Sequence, residues 1–154
     1  MRELSVFLYR ILGAFIAGAA FGLAFQVPLR HAVSSGFTAT IGWSVYLLAL
    51  AAGWNQFGAN YAATACVALV SQVLARKKYV PATVFLVPGV IPLVPGGGMY
   101  RTVWSMFYDP LSTSAYLNET LQMAGAIALG IFTVDTIFRM PHRKKQTGIK
   151  EKTS

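Results

Sequence analysis

The chain has 154 residues, of which 55% are hydrophobic and 12% charged, and its mean hydropathy is +0.54. A soluble domain carries about 25% charged residues, whereas only eight charged side chains lie between Ile11 and Phe138. Such a chain would expose large apolar patches to water, so a water-soluble enzyme is excluded. The composition predicts an all-α polytopic membrane protein, with one transmembrane domain over residues 1–140.

The net charge of +8 is concentrated at one end of the chain, since six of the 13 lysine and arginine residues follow Phe138. A basic tail directly after an apolar stretch favours contact with anionic lipid over contact with nucleic acid. We therefore expect residues 141–154 to form a basic cytoplasmic tail and expect no nucleic-acid partner.

Reactive side chains are few. Cys66 is the one cysteine, and the two histidines, His31 and His142, are far apart in sequence. No disulfide can form within one chain, and a metal site or a set of paired catalytic groups is not expected. No glycine-rich phosphate loop is present either. The sequence therefore predicts no cofactor, no metal and no enzymatic activity.

The first apolar run covers residues 4–25, about the length that crosses a bilayer. A signal peptide is the alternative, but the run is longer than a signal core and continues past the small-residue cleavage pattern. Ala14, Gly18 and Gly22 are spaced four residues apart, which permits close approach of another helix. Chance in an Ala/Gly-rich helix is the alternative explanation.

The second and third spans are predicted over residues 32–54 and 57–75. The second is the weakest, because its first part is only mildly apolar, and it could instead lie on the membrane surface. The third span ends at the basic run Arg76-Lys77-Lys78. The fifth predicted span covers residues 114–138.

The fourth predicted span, residues 80–108, contains too many prolines and glycines for one regular helix. Irregular backbone at membrane depth is tolerated where it is buried in protein or lines a watery cavity. Breaks in membrane helices also mark transport sites, because they free backbone groups that bind ions or substrate. A kinked helix that packs tightly on a neighbour is the alternative. On the transport interpretation, the predicted substrate-binding residues are Gly89, Pro92, Pro95, Gly96, Gly97, Gly98 and Arg101.

Arg101 and Asp135 each allow two interpretations. A helix that restarts after Gly98 would place Arg101 in its first turn, where an anion would offset the unfavourable helix dipole. Alternatively, Arg101 lies at the outer interface and pairs with Asp109 or Glu119. Asp135 is a candidate for ion coupling, or it forms an interfacial ion pair with a residue four positions later, Arg139. Four further polar residues lie in or beside spans, and their pattern does not separate a functional role from hydrogen bonding between helices: Asn60, Gln72, Asn118 and Glu119.

The positive-inside rule does not decide between five spans and four. Five spans with the tail inside place ten lysine and arginine residues inside and three outside, whereas four spans give eleven and two. The charge-free length of residues 32–54 favours five. The predicted topology therefore has the amino terminus outside and the carboxyl terminus in the cytoplasm.

The motif Ile91-Pro92-Leu93-Val94-Pro95-Gly96, followed closely by Tyr100, resembles the threonine/serine exporter (ThrE) family, specifically its short membrane half. The resemblance covers essentially the whole chain. It implies a secondary exporter of small carboxylate-bearing metabolites, either threonine and serine or a dicarboxylate such as succinate, in the bacterial inner membrane. It also adds Tyr100 to the substrate-binding residues.

The family works as two halves, so the resemblance implies a larger membrane partner subunit and permits a higher oligomer. If each half has five spans, tandem fusion gives inverted halves with a site at their interface. The rival hypothesis is a non-transporting membrane scaffold in which the broken segment is only a packing device.

The five-span topology predicts how single cysteines react in a Cys66→Ala background. A cysteine at Gln56 should label from outside, whereas cysteines at Ser34 and Ser154 should label only from the cytoplasmic side. Outside labelling at Ser154 would reject the orientation. Equal outside labelling at Ser34 and Gln56 would reject the second span.

Overall fold

A computed structural model describes residues 2–139, and the side chains from Val6 onward. The predicted basic tail, residues 141–154, lies outside this range. The described residues form helices and one 3₁₀ turn, with no strand among them, which confirms the all-α class. The elements are α1 (Arg2–Ala24), α2 (Leu29–Ala51), α3 (Gln56–Lys78), α4 (Thr83–Val90), a 3₁₀ turn (Ile91–Leu93), α5 (Gly96–Tyr108) and α6 (Thr113–Arg139).

Four of these helices, α1, α2, α3 and α6, are long and apolar enough to cross a membrane. The segment Thr83–Leu93 and the helix α5 form a fifth candidate span, bent by 49° at the break between them. The bend confirms that the fourth predicted span is not one regular helix. The helix α2 is continuous and packs between α1 and α3. It begins three residues before the second predicted span and ends at Ala51, before Trp54.

The helix that contains the third predicted span extends beyond it, because the basic run belongs to the helix. Arg76, Lys77 and Lys78 form the last turn of α3, where positive charge is favourable to the helix dipole. The helix ends at Tyr79, whose φ of 53° places it in the left-handed region. At the other end, the N–H of Gly58 donates to the side chain of Asn55 at 2.8 Å and caps α3.

Small residues let α1 and α2 pack closely, as their spacing predicts. Ala14, Gly18 and Gly22 are all buried. A Cβ on Gly18 would collide with the Cβ of Ala39 in α2 and lie 3.1 Å from the carbonyl oxygen of Ser35. This row of small residues is therefore occupied within the chain and does not form a surface for a partner.

The short helix α4 lies inside the bundle, in contact with α1, α2 and α3. Phe85 and Pro88 are among the fully buried side chains. A Cβ on Gly89 would lie 2.8 Å from Cγ2 of Thr38 and 2.9 Å from Cγ1 of Val67. Only a residue without a side chain allows α4 to approach both neighbours this closely.

Pro88 removes a hydrogen bond from the middle of α4, because proline has no N–H to donate to the carbonyl oxygen of Val84. Oγ of Ser35 in α2 lies 3.2 Å from that oxygen and donates to it. The same hydroxyl is 3.3 Å from the carbonyl oxygen of His31 in its own helix. Ser35 is fully buried, so its hydroxyl donates to this oxygen from inside the bundle.

The helix α5 packs on α6 through three small residues that share one face, Gly98, Thr102 and Ser105. A Cβ on Gly98 would lie 2.6 Å from Oγ1 of Thr120 in α6. The hydroxyl oxygens of Thr102 and Thr120 are 3.5 Å apart. The rest of α5 carries exposed apolar and aromatic side chains: Met99, Tyr100, Val103, Trp104, Met106, Phe107 and Tyr108.

Two glycines of α1 provide a matched test of the close packing against α2. Gly18→Ala should lower the free energy of unfolding by about 1–3 kcal/mol, because the added methyl collides with Ala39. Gly13→Ala is the control, since a Cβ there meets nothing within 4 Å. Reversible unfolding in mixed micelles measures both. Equal stabilities for the two variants would contradict the packing described here.

Candidate functional site

The helix after the break begins earlier than expected. We expected α5 to restart after Gly98, whereas it begins at Gly96, with Pro95 as its N-cap residue at φ −77°. The three glycines therefore form the first turn of α5, and Arg101 lies in the second turn. The expectation that Arg101 lies in the first turn, where an anion would offset the helix dipole, is therefore wrong.

The first turn of α5 carries unpaired backbone donors. The N–H of Gly96 donates to the carbonyl oxygen of Val94 at 2.8 Å, and the N–H of Met99 donates to that of Pro95 at 3.0 Å. The intervening N–H groups, of Gly97 and Gly98, have no backbone acceptor in the described chain. Gly96 and Gly97 are exposed, and a Cβ on either would meet nothing within 4 Å.

The predicted substrate-binding residues fall into two groups. Gly89 is buried between α2 and α3, and Pro92 and Pro95 are half-buried at the break. Gly98 is half-buried against Thr120. The second group is exposed on one face of α5, because its members are spaced by one helical turn: Gly96, Gly97, Tyr100 and Arg101.

Asp135 and Arg139 form the expected ion pair on α6, with Oδ2 and Nε 2.7 Å apart. Their side chains are 37% and 80% exposed. It is the one ion pair found within residues 6–139, so the alternative pairing of Arg101 with Asp109 or Glu119 is not observed there. No three His, Cys, Asp or Glu side chains in this range lie close enough together to hold a metal ion.

A cavity of about 390 Å³ opens between α3, α4 and α6 at the end of the bundle that holds this ion pair. Each helix lines it with residues about one turn apart. The lining residues are Ala68, Ser71 and Gln72 from α3, Ala82, Thr83 and Leu86 from the start of α4, and Ile131, Asp135 and Arg139 from α6.

Ser71 is the residue of this cavity that sequence reasoning missed. Its side chain is fully buried, and its Oγ has no hydrogen-bond partner. The sequence signal is the polar pair Ser71-Gln72 near the end of an apolar helix. That signal points to a cavity only once the register of α3 against Asp135 is known.

The basic residues near the cavity mark one end of the bundle. Nζ of Lys78, at the end of α3, donates to Oγ of Ser34 near the start of α2 at 2.6 Å. The guanidinium of Arg76 lies 4.6 Å from the ring centroid of Phe138 in α6. The end of α3 therefore meets both the start of α2 and the end of α6, and the cavity opens on this basic end.

Comparison with known proteins identifies a family and two relatives. The family model described as threonine/serine exporter, ThrE, matches residues 10–137. A probable threonine/serine exporter of Mycobacterium tuberculosis is 25% identical over 123 residues, which are 80% of this chain and 23% of the relative. A threonine/serine exporter of Corynebacterium glutamicum is 27% identical over 135 residues, which are 87% of this chain and 27% of the relative. No solved structure matches significantly.

The chain thus spans about a quarter of the length of the curated relatives that it matches. The family match covers most of the chain and includes both the broken span and the helices around the cavity. These comparisons confirm the resemblance seen in the proline–glycine motif. The chain belongs to the threonine/serine exporter family and is a multi-pass membrane protein of a transporter family.

Proposed function

We propose that this chain is the membrane half of a two-part secondary exporter of small carboxylate-bearing metabolites. The observation that carries the proposal is the family match over residues 10–137. The relatives are named for threonine and serine, so these amino acids are the first candidate substrates. A dicarboxylate such as succinate is the second candidate.

A larger half would supply the second wall of the transport pathway. The match corresponds to about a quarter of each relative, which supports a role for further membrane segments in the complete exporter. Within the described residues, α5 packs on α6 and leaves its opposite face exposed. We place the larger half against this exposed face of α5.

The exposed first turns of α5 are the proposed contact with substrate between the two halves. Gly97 offers an unpaired N–H at the positive end of the helix dipole, which favours a carboxylate. Arg101 lies four residues later on the same face and offers donors for bidentate contact. Gly96 and Tyr100 flank them. The other predicted residues shape the break: Gly89, Pro92, Pro95 and Gly98.

The proposed orientation places the basic end of the bundle in the cytoplasm of a bacterium, by the positive-inside rule. Arg30, Lys78 and Arg139 lie at the helix ends on that side. The basic tail would then follow α6 on the cytoplasmic face of the inner membrane, where it contacts anionic lipid. The amino terminus of α1 would lie outside.

Partner dependence tests the two-part proposal against the scaffold alternative. Proteoliposomes that contain this chain and a larger family half should release preloaded L-threonine, whereas liposomes with either component alone should release it at the rate of empty vesicles. Rapid release by this chain alone would contradict the two-part arrangement. Absence of release of threonine, serine and succinate by the pair would favour the scaffold.

Substitutions on the exposed face of α5 test the proposed substrate contact. Arg101→Gln should weaken substrate affinity about ten- to a hundred-fold, because one charge-assisted contact is worth roughly 1.5–3 kcal/mol. Gly97→Val should lower export without loss of folded protein, since the added side chain meets open space. Gly98→Ala should instead lower the amount of folded protein, because its Cβ collides with Thr120.

Arg10→Gln is the control for loss of an exposed guanidinium on a different helix, α1. Export rate is measured per molecule of protein in the membrane for each variant. Parental rates for both Gly97→Val and Arg101→Gln would show that this face does not contact the substrate.

A further inference from the structure

We propose that the cavity between α3, α4 and α6 is a loading site for a zwitterionic α-amino acid, with Asp135 facing its ammonium group, Arg139 its carboxylate and Ser71 donating a hydrogen bond. The inference rests on the proposed export function and deepens it, because it names the class of substrate. It also adds a second recognition point, at the basic end of the bundle.

The size and position of the cavity suit a small metabolite. Its volume of about 390 Å³ lies within the range of small-molecule sites, about 300–1,000 Å³. Under the proposed orientation it opens to the cytoplasm, which is the side from which an exporter takes its substrate. The side chain of Gln72 lines both this cavity and an adjoining groove that reaches Arg76, so a cationic surface leads to the site.

The unpaired hydroxyl of Ser71 is a hydrogen-bond donor that lies beside the cavity. Hydroxyls in α2 satisfy themselves along their own helix: Thr38, Thr40 and Ser44 each donate to the carbonyl oxygen four residues earlier, at 2.8–2.9 Å. Oγ of Ser71 has no partner although the residue is fully buried. A buried polar group left without a partner is unfavourable, and a ligand in the cavity would remove this penalty.

The ion pair on the opposite wall supplies both charges that a zwitterion needs. Asp135 and Arg139 are one turn apart on α6 and both line the cavity. An exposed ion pair of this kind contributes little to stability, so it can open at little cost. Asp135 can then pair with the ammonium group of a ligand, and Arg139 with its carboxylate. The α-amino acid is favoured because it carries its two charges close together.

A dicarboxylate fits this wall poorly. One carboxylate would pair with Arg139, but the second would approach the carboxylate of Asp135, and like charges repel. The cavity should therefore bind L-threonine in preference to succinate. This preference separates the two substrate classes that the family resemblance leaves open.

Equilibrium binding of radiolabelled L-threonine and succinate to the full chain in lipid nanodiscs tests the site. The parental chain should bind threonine more tightly than succinate. Asp135→Asn and Arg139→Gln should each weaken threonine binding about tenfold or more, since each removes a charge-assisted contact. Asp135→Asn should also raise the affinity for succinate relative to threonine, which simple loss of structure would not do.

Thr64→Val is the matched control for Ser71→Ala. Thr64 is also a fully buried residue of α3 with an unpaired hydroxyl, but it lies two turns away and does not line the cavity. Ser71→Ala should weaken threonine binding several-fold, whereas Thr64→Val should bind as the parental chain does.

Three results would overturn the assignment: no threonine binding by the parental chain, succinate bound as tightly as threonine, or parental threonine affinity in both charge variants. A measurement of efflux by the complete exporter separates failure of the loading site from failure of the proposed export function. Threonine efflux without threonine binding at this cavity would reject the loading site and keep the export function. Threonine binding with no efflux of any carboxylate would reject the export function and keep the site.

Discussion

The position of α4 in the bundle depends on the carbonyl oxygen of Val84, which has no N–H donor at Pro88 in its own helix. Pro88 cannot donate to it, because proline has no N–H. The Ser35 hydroxyl donates to this oxygen from α2, and it can do so only because α4 lies deep among α1, α2 and α3. Gly89 lets α4 lie this close to α2 and α3, since a Cβ there would collide with Thr38 and Val67.

This constraint gives the two parts of the broken span different roles. The buried part, α4, is fixed on several sides, and its start forms one wall of the cavity that also holds Ser71 and Asp135. The outer part, α5, contacts α6 and otherwise presents exposed apolar side chains. A fixed inner segment beside the proposed loading site and an exposed outer segment facing the proposed larger half together suit the proposed pathway from the cytoplasm outward.

The sequence predicts the spans and the break well, because both depend on properties that are local in the chain. Apolar length indicates each long helix, and the prolines at positions 88, 92 and 95 forbid a regular fourth one. The start of α5 is predicted three residues too late, because three consecutive glycines have no strong preference of their own and Pro95 fixes the N-cap. The place of Ser71 beside a cavity is missed because it depends on how α3 and α6 align. Asp135 and Arg139 are predicted as a pair, but their place in a cavity follows only from the fold.

The most direct test of this account is a double-mutant cycle between Ser35→Ala and Pro88→Ala, read as free energies of unfolding. Ser35→Ala alone should destabilise the protein by about 1–3 kcal/mol, because it removes the hydroxyl donor from the half-buried Val84 carbonyl. Alanine at position 88 restores an N–H that can donate to the same oxygen, so removing the Ser35 hydroxyl should then cost markedly less, with a coupling of about 1 kcal/mol. Additive effects of the two substitutions would contradict the account, because they would show that the hydroxyl does not replace the hydrogen bond that proline removes.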